Sequence, residues 1–322
     1  PEVPGTLTPD DPITGTEAIA VEWLRAGGKR FRPFITLAGY AARTSGRAAL
    51  APEADLSELF PEAVKRAALA IEALHKASLV HDDIEDDDPY RYGTETLHRR
   101  YGPAVAVNVG DYLVGLGYQL VADSRDELGS RCTSDILKAL SSAHLKLSRG
   151  QGAELLWRRK DPVTMRPLDL LTIYALKTAP AFEAALYVGL RLAGPVDDQL
   201  EALHNYCRYL GVAYQVLNDL ADWREDDRNK VTLGQDVLAQ RPTILRAFAI
   251  ESGGAEGLAE IAGAQSENAE TVGAAKALYS ALGVFGRAEA LLEKLRSRAD
   301  GIAGEINDAA LQDLLRFLVR II

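Results

Sequence analysis

Apolar residues recur at i, i+3 and i+4 along almost the whole chain, the period of helices with one buried face. The pattern predicts helices over residues 17–26, 33–45, 61–86, 103–123, 131–157, 168–193, 197–223, 242–251, 267–283 and 285–320. It is interrupted at Gly27-Gly28, from Pro89 to Gly93, at Asp161-Pro162, at Gly194-Pro195 and at Gly253-Gly254, where helix-stopping residues accumulate. Alternating β-branched runs bounded by turn residues are nearly absent. The expected fold is all-α, with ten or more helices around one core, and residues 1–322 read as a single domain. Residues 223–241 are charged and poorly periodic, which predicts a long loop holding a short helix.

Two of these helices end in acid. The segment 61–86 runs into His81-Asp82-Asp83-Ile84-Glu85-Asp86-Asp87-Asp88. Asp82 and Asp86 are four apart, so on a helix both carboxylates leave the same face one turn apart. Below Asp82 on that face lie Ser78, His75, Ile71 and Ala68, polar at the end and small or apolar deeper, as in the wall of a deep pocket. The helix 197–223 is built alike, with Gln215, Asp219 and Asp222 on one face, Asn218 beside them and Gly211 a turn below. Stacked like charges are costly unless a cation neutralises them. Mg²⁺ suits such oxygen donors and commonly shares its shell with substrate phosphates. Two clusters facing each other across a helical cavity would hold a diphosphate between metal ions, which implies chemistry at a phosphorylated carbon.

Composition narrows the partners. The net charge of −10 and pI near 5.1 argue against nucleic acid, which needs a basic face, so any phosphate must be held locally. Two cysteines, Cys132 and Cys207, are too few for a disulfide framework and fit a reducing cytosol. There is no signal peptide and no transmembrane segment in prospect: the most apolar stretch, Ala104 to Ala122, contains Asp111 and several glycines. A soluble, cytoplasmic protein is expected.

From Trp23 to Thr243 the chain resembles the trans-isoprenyl diphosphate synthases, or polyprenyl synthetases, through motifs in collinear order. Gly27-Gly28-Lys29-Arg30-Phe31-Arg32-Pro33 looks like the first basic motif, and His75 precedes the first aspartate by seven residues. Asp82 to Asp86 is similar to the first aspartate-rich motif. Arg91-Tyr92-Gly93 resembles Arg-Arg-Gly, followed by His98, Tyr101-Gly102 and Asn108-Val109-Gly110-Asp111. Lys177-Thr178 resembles a Lys-Thr pair on a central helix, and Gln215 with Asn218 to Asp222 the second acidic motif.

The resemblance implies a prenyl chain-elongating enzyme of isoprenoid-synthase fold that works as a homodimer with about three Mg²⁺ ions. Asp82, Asp83 and Asp86 on one side and Asn218, Asp219 and Asp222 on the other would be the metal ligands. Lys177, Arg91 and Lys230 would contact an allylic diphosphate, Lys29, Arg32, His75 and position 92 isopentenyl diphosphate, and Gln215 and Arg241 would also bind substrate. No protein nucleophile is implied, since the released diphosphate takes the final proton. Small Ala77 and Ser78, five and four places before Asp82, imply a product of twenty carbons or more, such as geranylgeranyl diphosphate, with Leu74 and Tyr118 as the floor. Three positions depart from the family pattern. Tyr92 replaces an arginine, and a phenol cannot supply a guanidinium fork. Asn218 replaces an aspartate, with one negative charge fewer, and Arg241 replaces a customary lysine.

Blander readings exist for each feature. An acidic run is usually a solvated face, as expected here for Asp87 and Asp88. A lone His75 would be a core histidine, and Lys177 in an apolar helix could snorkel to the surface; the shared register and motif order favour ligand contact. Two rival functions stand beside chain elongation. Asn218, Asp222 and Asp226 at i, i+4, i+8 resemble the metal triad of class I terpene cyclases, on the same scaffold. A non-catalytic synthase subunit is the other, although it should have lost the first aspartate motif.

Overall fold

Helix follows helix through the computed structural model, which describes residues 8–46, 60–159, 166–224, 233–264 and 268–322. In chain order these are α1 (Gly15–Arg25), α2 (Phe31–Thr44), α3 (Glu62–Glu85), the hairpin β1 (Tyr90–Arg91) and β2 (Thr94–Glu95), α4 (Leu97–Tyr101), α5 (Pro103–Ala122), α6 (Arg125–Leu128) and α7 (Ser130–Trp157). There follow α8 (Pro167–Lys177), α9 (Ala179–Ala193), α10 (Leu200–Ala221), α11 (Gln235–Leu238), α12 (Ile244–Glu251), α13 (Ala255–Gly263), α14 (Asn268–Ala281), α15 (Val284–Glu305) and α16 (Ala309–Ile321). The all-α expectation holds, with that hairpin as the one sheet among the described residues. The chain divides into two compact units, residues 1–141 with 184–196, and residues 142–183 with 197–322.

In the first unit α3 lies against α5. α3 buries Ala63, Ala67, Ala70, Ala73 and Ala77, residues of high helix propensity whose short side chains admit a close neighbour. α5 answers with glycines. A Cβ on Gly117 would lie 2.7 Å from Leu74 Cγ, and one on Gly110 would enter the His81 ring. Ile19 and Trp23 of α1, Val80 of α3 and Val109 and Leu113 of α5 close one apolar cluster around Ala77. α2 also packs on α3, and its Thr36 hydroxyl donates to the Ala185 carbonyl of α9 at 3.0 Å.

In the second unit α10 packs along α15 and beside α8, and α12 touches both α8 and α15. Just past the end of α10, the ring of Trp223 meets Tyr279 and Phe285 at centroid distances of 5.3 and 5.6 Å, so it serves packing.

The helix expected over 168–193 is two helices. It breaks at Thr178, whose φ of −128° and ψ of −50° leave the helical region. The cause is Pro180, which lacks an N–H and whose ring would strike the Leu176 carbonyl in a continuous helix. The stretch 285–320 also divides. Asp308 begins α16 by accepting a hydrogen bond from Leu311 N at 3.0 Å, an N-cap that outcompetes continuation. The break at Pro89 to Gly93 is the hairpin. Its turn residues Tyr92 and Gly93 have φ of +53° and +77°, the two-residue turn whose twist suits short antiparallel strands. By length and composition α5 could cross a membrane, with a mean hydropathy of 1.2. It carries Asp111, and it buries Ala106, Val109, Leu113 and Val121 in the first unit, about a third of its apolar window being buried.

Candidate active site

The first half-site is the C-terminal end of α3. Helix geometry ends at Glu85, and Asp86 is the capping residue, its N–H bonded to the Asp82 carbonyl at 2.8 Å. Asp82 and Asp86 therefore stay in register on the last turn. A helix C-terminus carries partial negative charge from its unpaired carbonyls, so two carboxylates there deepen a potential that only a cation relieves. Asp83 faces elsewhere. It is buried, 2% exposed, and accepts from Arg91 Nε at 2.5 Å, with Arg91 Nη2 also against it. Burial raises the Asp83 carboxyl to about 6, against the lowering effect of Arg91. Asp88 lies 3.6 Å from the same guanidinium. Asp83 is thus a structural partner of Arg91, and Arg91, expected on a diphosphate, is held by two carboxylates of its own unit.

The second acid of the tail is engaged as well. Asp87, at φ +52°, pairs with Arg99 at 2.8 Å and with His98 at 3.3 Å. The Asn-Val-Gly-Asp run of α5 acquires a purpose from the same corner. Gly110 leaves room for the His81 ring, whose Nε2 lies 3.6 Å from Asp111.

Two turns below Asp82 on α3, His75 Nε2 meets Arg32 Nη1 at 2.9 Å, which unites two of the residues assigned to one substrate. Burial and the charges of Arg32 and Lys76 hold the imidazole well below its usual range, so it is neutral at physiological pH. Lys29 and Arg32 belong to a strap, residues 26–32, that α3 ties down. Arg30, at φ +51°, donates to Glu72 at 2.5 Å and to the carbonyls of Leu24 and Ala26 at 2.6 and 3.0 Å. Lys76, fully buried, donates to the carbonyls of Ala26 and Gly27 at 3.0 and 2.8 Å. Its ammonium sits 4.2 Å from the centre of the Tyr92 ring and 4.8 Å from that of Trp23. The Tyr92 ring lies flat on the glycine pair, where a Cβ on Gly27 would approach its Cγ to 3.2 Å. Tyr92 is thus packed against the strap.

The second half-site is the end of α10. Asp222 caps the helix, its N–H on the Asn218 carbonyl at 3.1 Å, and its carboxylate accepts from Asp236 N at 3.1 Å. Asp219 is 2% exposed and accepts from Ile244 N at 2.8 Å and from the Tyr174 hydroxyl. Burial pushes it up to about 8, aided by Asp236, so without a cation this carboxyl is protonated at neutral pH. Gln215 accepts from Thr178 at 3.3 Å. Arg241 pairs with Asp236 at 3.5 Å. Lys177 pairs with buried Glu154, which also holds Arg158 at 2.8 Å. The backbone of Lys177 to Ala179 is wedged between two glycines: a Cβ on Gly150 would lie 2.6 Å from Leu176 C, and one on Gly211 2.5 Å from Ala179 Cα. Lys230 and Asp226 lie outside the described residues.

Among the described residues no three His, Cys, Asp or Glu side chains converge as a closed metal cage. Carboxylates offered singly or in pairs at helix ends fit Mg²⁺, which keeps several waters and takes its remaining oxygens from substrate phosphates. Of the chain-length residues, Ala77 is 1% exposed inside the apolar cluster, Ser78 bonds its own helix at the His75 carbonyl, and Leu74 packs on Gly117. Tyr118 lines an open groove of about 620 Å³ with Arg125, Thr133, Leu137 and Lys138, and no other predicted site residue reaches it.

These helices, with an aspartate cluster ending α3 and another ending α10, are the frame of the isoprenyl diphosphate synthases. A polyprenyl synthase from Caulobacter crescentus, solved with calcium and isoprenyl diphosphate, matches with a TM-score of 0.77 at 25% identity, covering 97% of this chain and 89% of that one. The sequence pattern of the polyprenyl synthetase family matches residues 15–282, and the chain belongs to that family. The short chain isoprenyl diphosphate synthase of Methanocaldococcus jannaschii is 29% identical over 230 residues, 71% of this chain and 64% of that protein. The geranylfarnesyl diphosphate synthase of Aeropyrum pernix is 30% identical over 320 residues, 98% of this chain and 94% of that protein.

Proposed function

We propose that the protein is a Mg²⁺-dependent trans-prenyltransferase that joins an allylic diphosphate to isopentenyl diphosphate and releases a polyprenyl diphosphate of twenty carbons or more. The observation that carries this reading is the layout of α3. The Arg32–His75 pair stands about two turns, roughly 10 Å, below Asp82 on one helix face, so a second anion has a place beside the metal end. A cyclase consuming one diphosphate has no use for it.

In this reading Asp82 and Asp86 at the end of α3 and Asn218, Asp219 and Asp222 at the end of α10 are the metal ligands, and residues 1–322 act as one catalytic domain. Mg²⁺, when bound, neutralises the allylic diphosphate and stabilises the charge it gains on leaving. Lys177, oriented by Glu154, adds a fixed cation on the leaving group, and such preorganised charge acts more strongly on the transition state than on the substrate. Gln215, Lys230 and Arg241 complete that site. Lys29, Arg32 and neutral His75 hold isopentenyl diphosphate so that its double bond faces the allylic carbon. The C–O bond breaks with its electron pair on the diphosphate, the new C–C bond forms, and the proton lost from the isopentenyl unit goes to that diphosphate. Ser78 borders the growing tail more directly than Ala77.

The chain works as a homodimer in this reading, supported by exposed Val105 and Val107 on α5, and in the cytoplasm, which suits the buried free thiols of Cys132 and Cys207. Light scattering at micromolar concentration should give twice the mass of one chain. The deciding assay incubates the protein with Mg²⁺, farnesyl diphosphate and labelled isopentenyl diphosphate. Label in a diphosphate of twenty or more carbons is expected; a cyclic hydrocarbon without label would overturn the proposal.

A further inference from the structure

We propose that Lys76 is a positioning residue for the isopentenyl diphosphate site: its ammonium, held between the rings of Trp23 and Tyr92, fastens the strap that presents Lys29 and Arg32. The inference rests on the prenyltransferase reading and adds to it a residue and a purpose for the Tyr92 departure.

A lysine without exposed surface is unusual, because an ammonium loses its hydration on burial. Here the loss is offset by carbonyls and rings. Two hydrogen bonds run to Ala26 and Gly27 of the strap. Two aromatic faces take the remaining charge, Tyr92 at 4.2 Å and Trp23 at 4.8 Å, within the range where a ring quadrupole attracts a cation. The contact is reciprocal: the Trp23 indole N–H donates to the Lys76 carbonyl at 3.1 Å. Burial lowers the Lys76 amine to about 8, with Arg30 pushing the same way, yet it remains charged at pH 7.

The cage decides the path of the strap. The Tyr92 hydroxyl would lie 3.1 Å from a Cβ on Gly28, whose φ of +116° side-chain-bearing residues rarely adopt, so the ring packs closely on a strap that favours glycine. Tyr92 itself holds a left-handed φ of +53°, a strained state for an aromatic residue that persists because the surrounding contacts over-determine it. An arginine at this position would bring a second charge beside Lys76. Tyrosine at 92 and lysine at 76 therefore form one device. The phenol supplies a face for the ammonium, and the ammonium grips the two carbonyls ahead of Lys29.

The test measures KM for isopentenyl diphosphate and for farnesyl diphosphate separately in the full chain. Lys76→Met keeps the length of the side chain and removes the charge. It should raise KM for isopentenyl diphosphate by about tenfold and leave that for farnesyl diphosphate within about twofold, since displacement of a binding group by a fraction of an ångström acts on its own ligand. Lys76→Arg should recover part of the loss. Should Lys76→Met not fold, Tyr92→Leu reads the same split, and Tyr92→Phe, which keeps the ring, should raise the isopentenyl KM less than Tyr92→Leu. Equal changes in both KM values, no change in either, or equal effects of the Leu and Phe variants would overturn the inference. A wild-type protein that never incorporates isopentenyl diphosphate would instead remove the prenyltransferase reading, and this inference with it.

Discussion

Gly150→Ala separates the placement of Lys177 from the stability of the fold. A Cβ at Gly150 would lie 2.6 Å from Leu176 C and 2.7 Å from Lys177 Cα, both backbone atoms that no rotamer change removes. Ordinary contact begins at 3.4 Å and Lys177 N is nearer still, so the end of α8 must retreat by about 1 Å, and the Lys177 ammonium with it. Overpacking of this kind costs about 1–3 kcal/mol, while alanine in place of glycine inside α7 returns about 1 kcal/mol of helix propensity. The net loss of about 0–2 kcal/mol lowers the melting temperature of a chain this size by no more than about 3 °C. The catalytic effect is larger, because a misplacement near 1 Å of a positioned group costs about 10²-fold in rate. Gly152, two residues on, has nothing within 4 Å of its Cβ, so Gly152→Ala should gain up to about 1 kcal/mol and keep full activity. Single-turnover rates and melting curves on the two variants decide the matter. A Gly150→Ala protein with wild-type turnover would refute the wedge, as would a loss of rate mirrored in Gly152→Ala.

Chelation should abolish turnover and Mg²⁺ restore it; Asp82→Ala or Asp86→Ala should cost at least about 10²-fold in kcat, with near-wild-type turnover counting against the site. Lys76 titrates near 8 when folded and 10.5 otherwise, so above pH 8 the unfolded chain holds a proton the folded one has released, and stability rises with pH. Against Lys76→Met, the wild type should gain up to about 3 kcal/mol in urea unfolding between pH 8 and 10.5; a flat difference would deny the buried charge. Ser78→Phe should shorten the product by about one isoprene unit, whereas Ala77→Phe, set in the apolar cluster, should cost about 1–3 kcal/mol of stability; product chromatography and melting curves distinguish the two.

The two acidic helix ends were legible because a helix repeats every 3.6 residues, so spacing alone placed Asp82 with Asp86 and Asn218 with Asp222. Motif order assigns His75 and Arg32 to one substrate, and the two side chains lie 2.9 Å apart. What sequence spacing missed are charges matched across long separations. Arg91 belongs to a substrate motif in the sequence, but buried Asp83 takes its guanidinium. Lys177 finds Glu154 twenty-three residues away on another helix, a pairing that periodicity does not encode. The break at Thr178 is local, set by Pro180 inside an otherwise continuous apolar helix pattern. Lys76 carried a signal too: a lysine on the apolar side of the aspartate helix, with Trp23 and Tyr92 as aromatic partners far apart in the chain.

The contact between the Tyr92 turn and the Gly27-Gly28 strap bears on how such genes recombine. Trp23, the glycine pair, Lys76 and Tyr92 are spread over seventy positions yet form one joint. A chimera with its crossover between residues 33 and 75 would take the strap from one parent and the hairpin from another. Lys76 and Tyr92 would then meet a strap from the other parent: a non-aromatic residue at 23 would remove one face from the ammonium, and a side chain at 27 or 28 would press on the Tyr92 ring. Shuffled libraries should therefore keep their junctions outside residues 23–92.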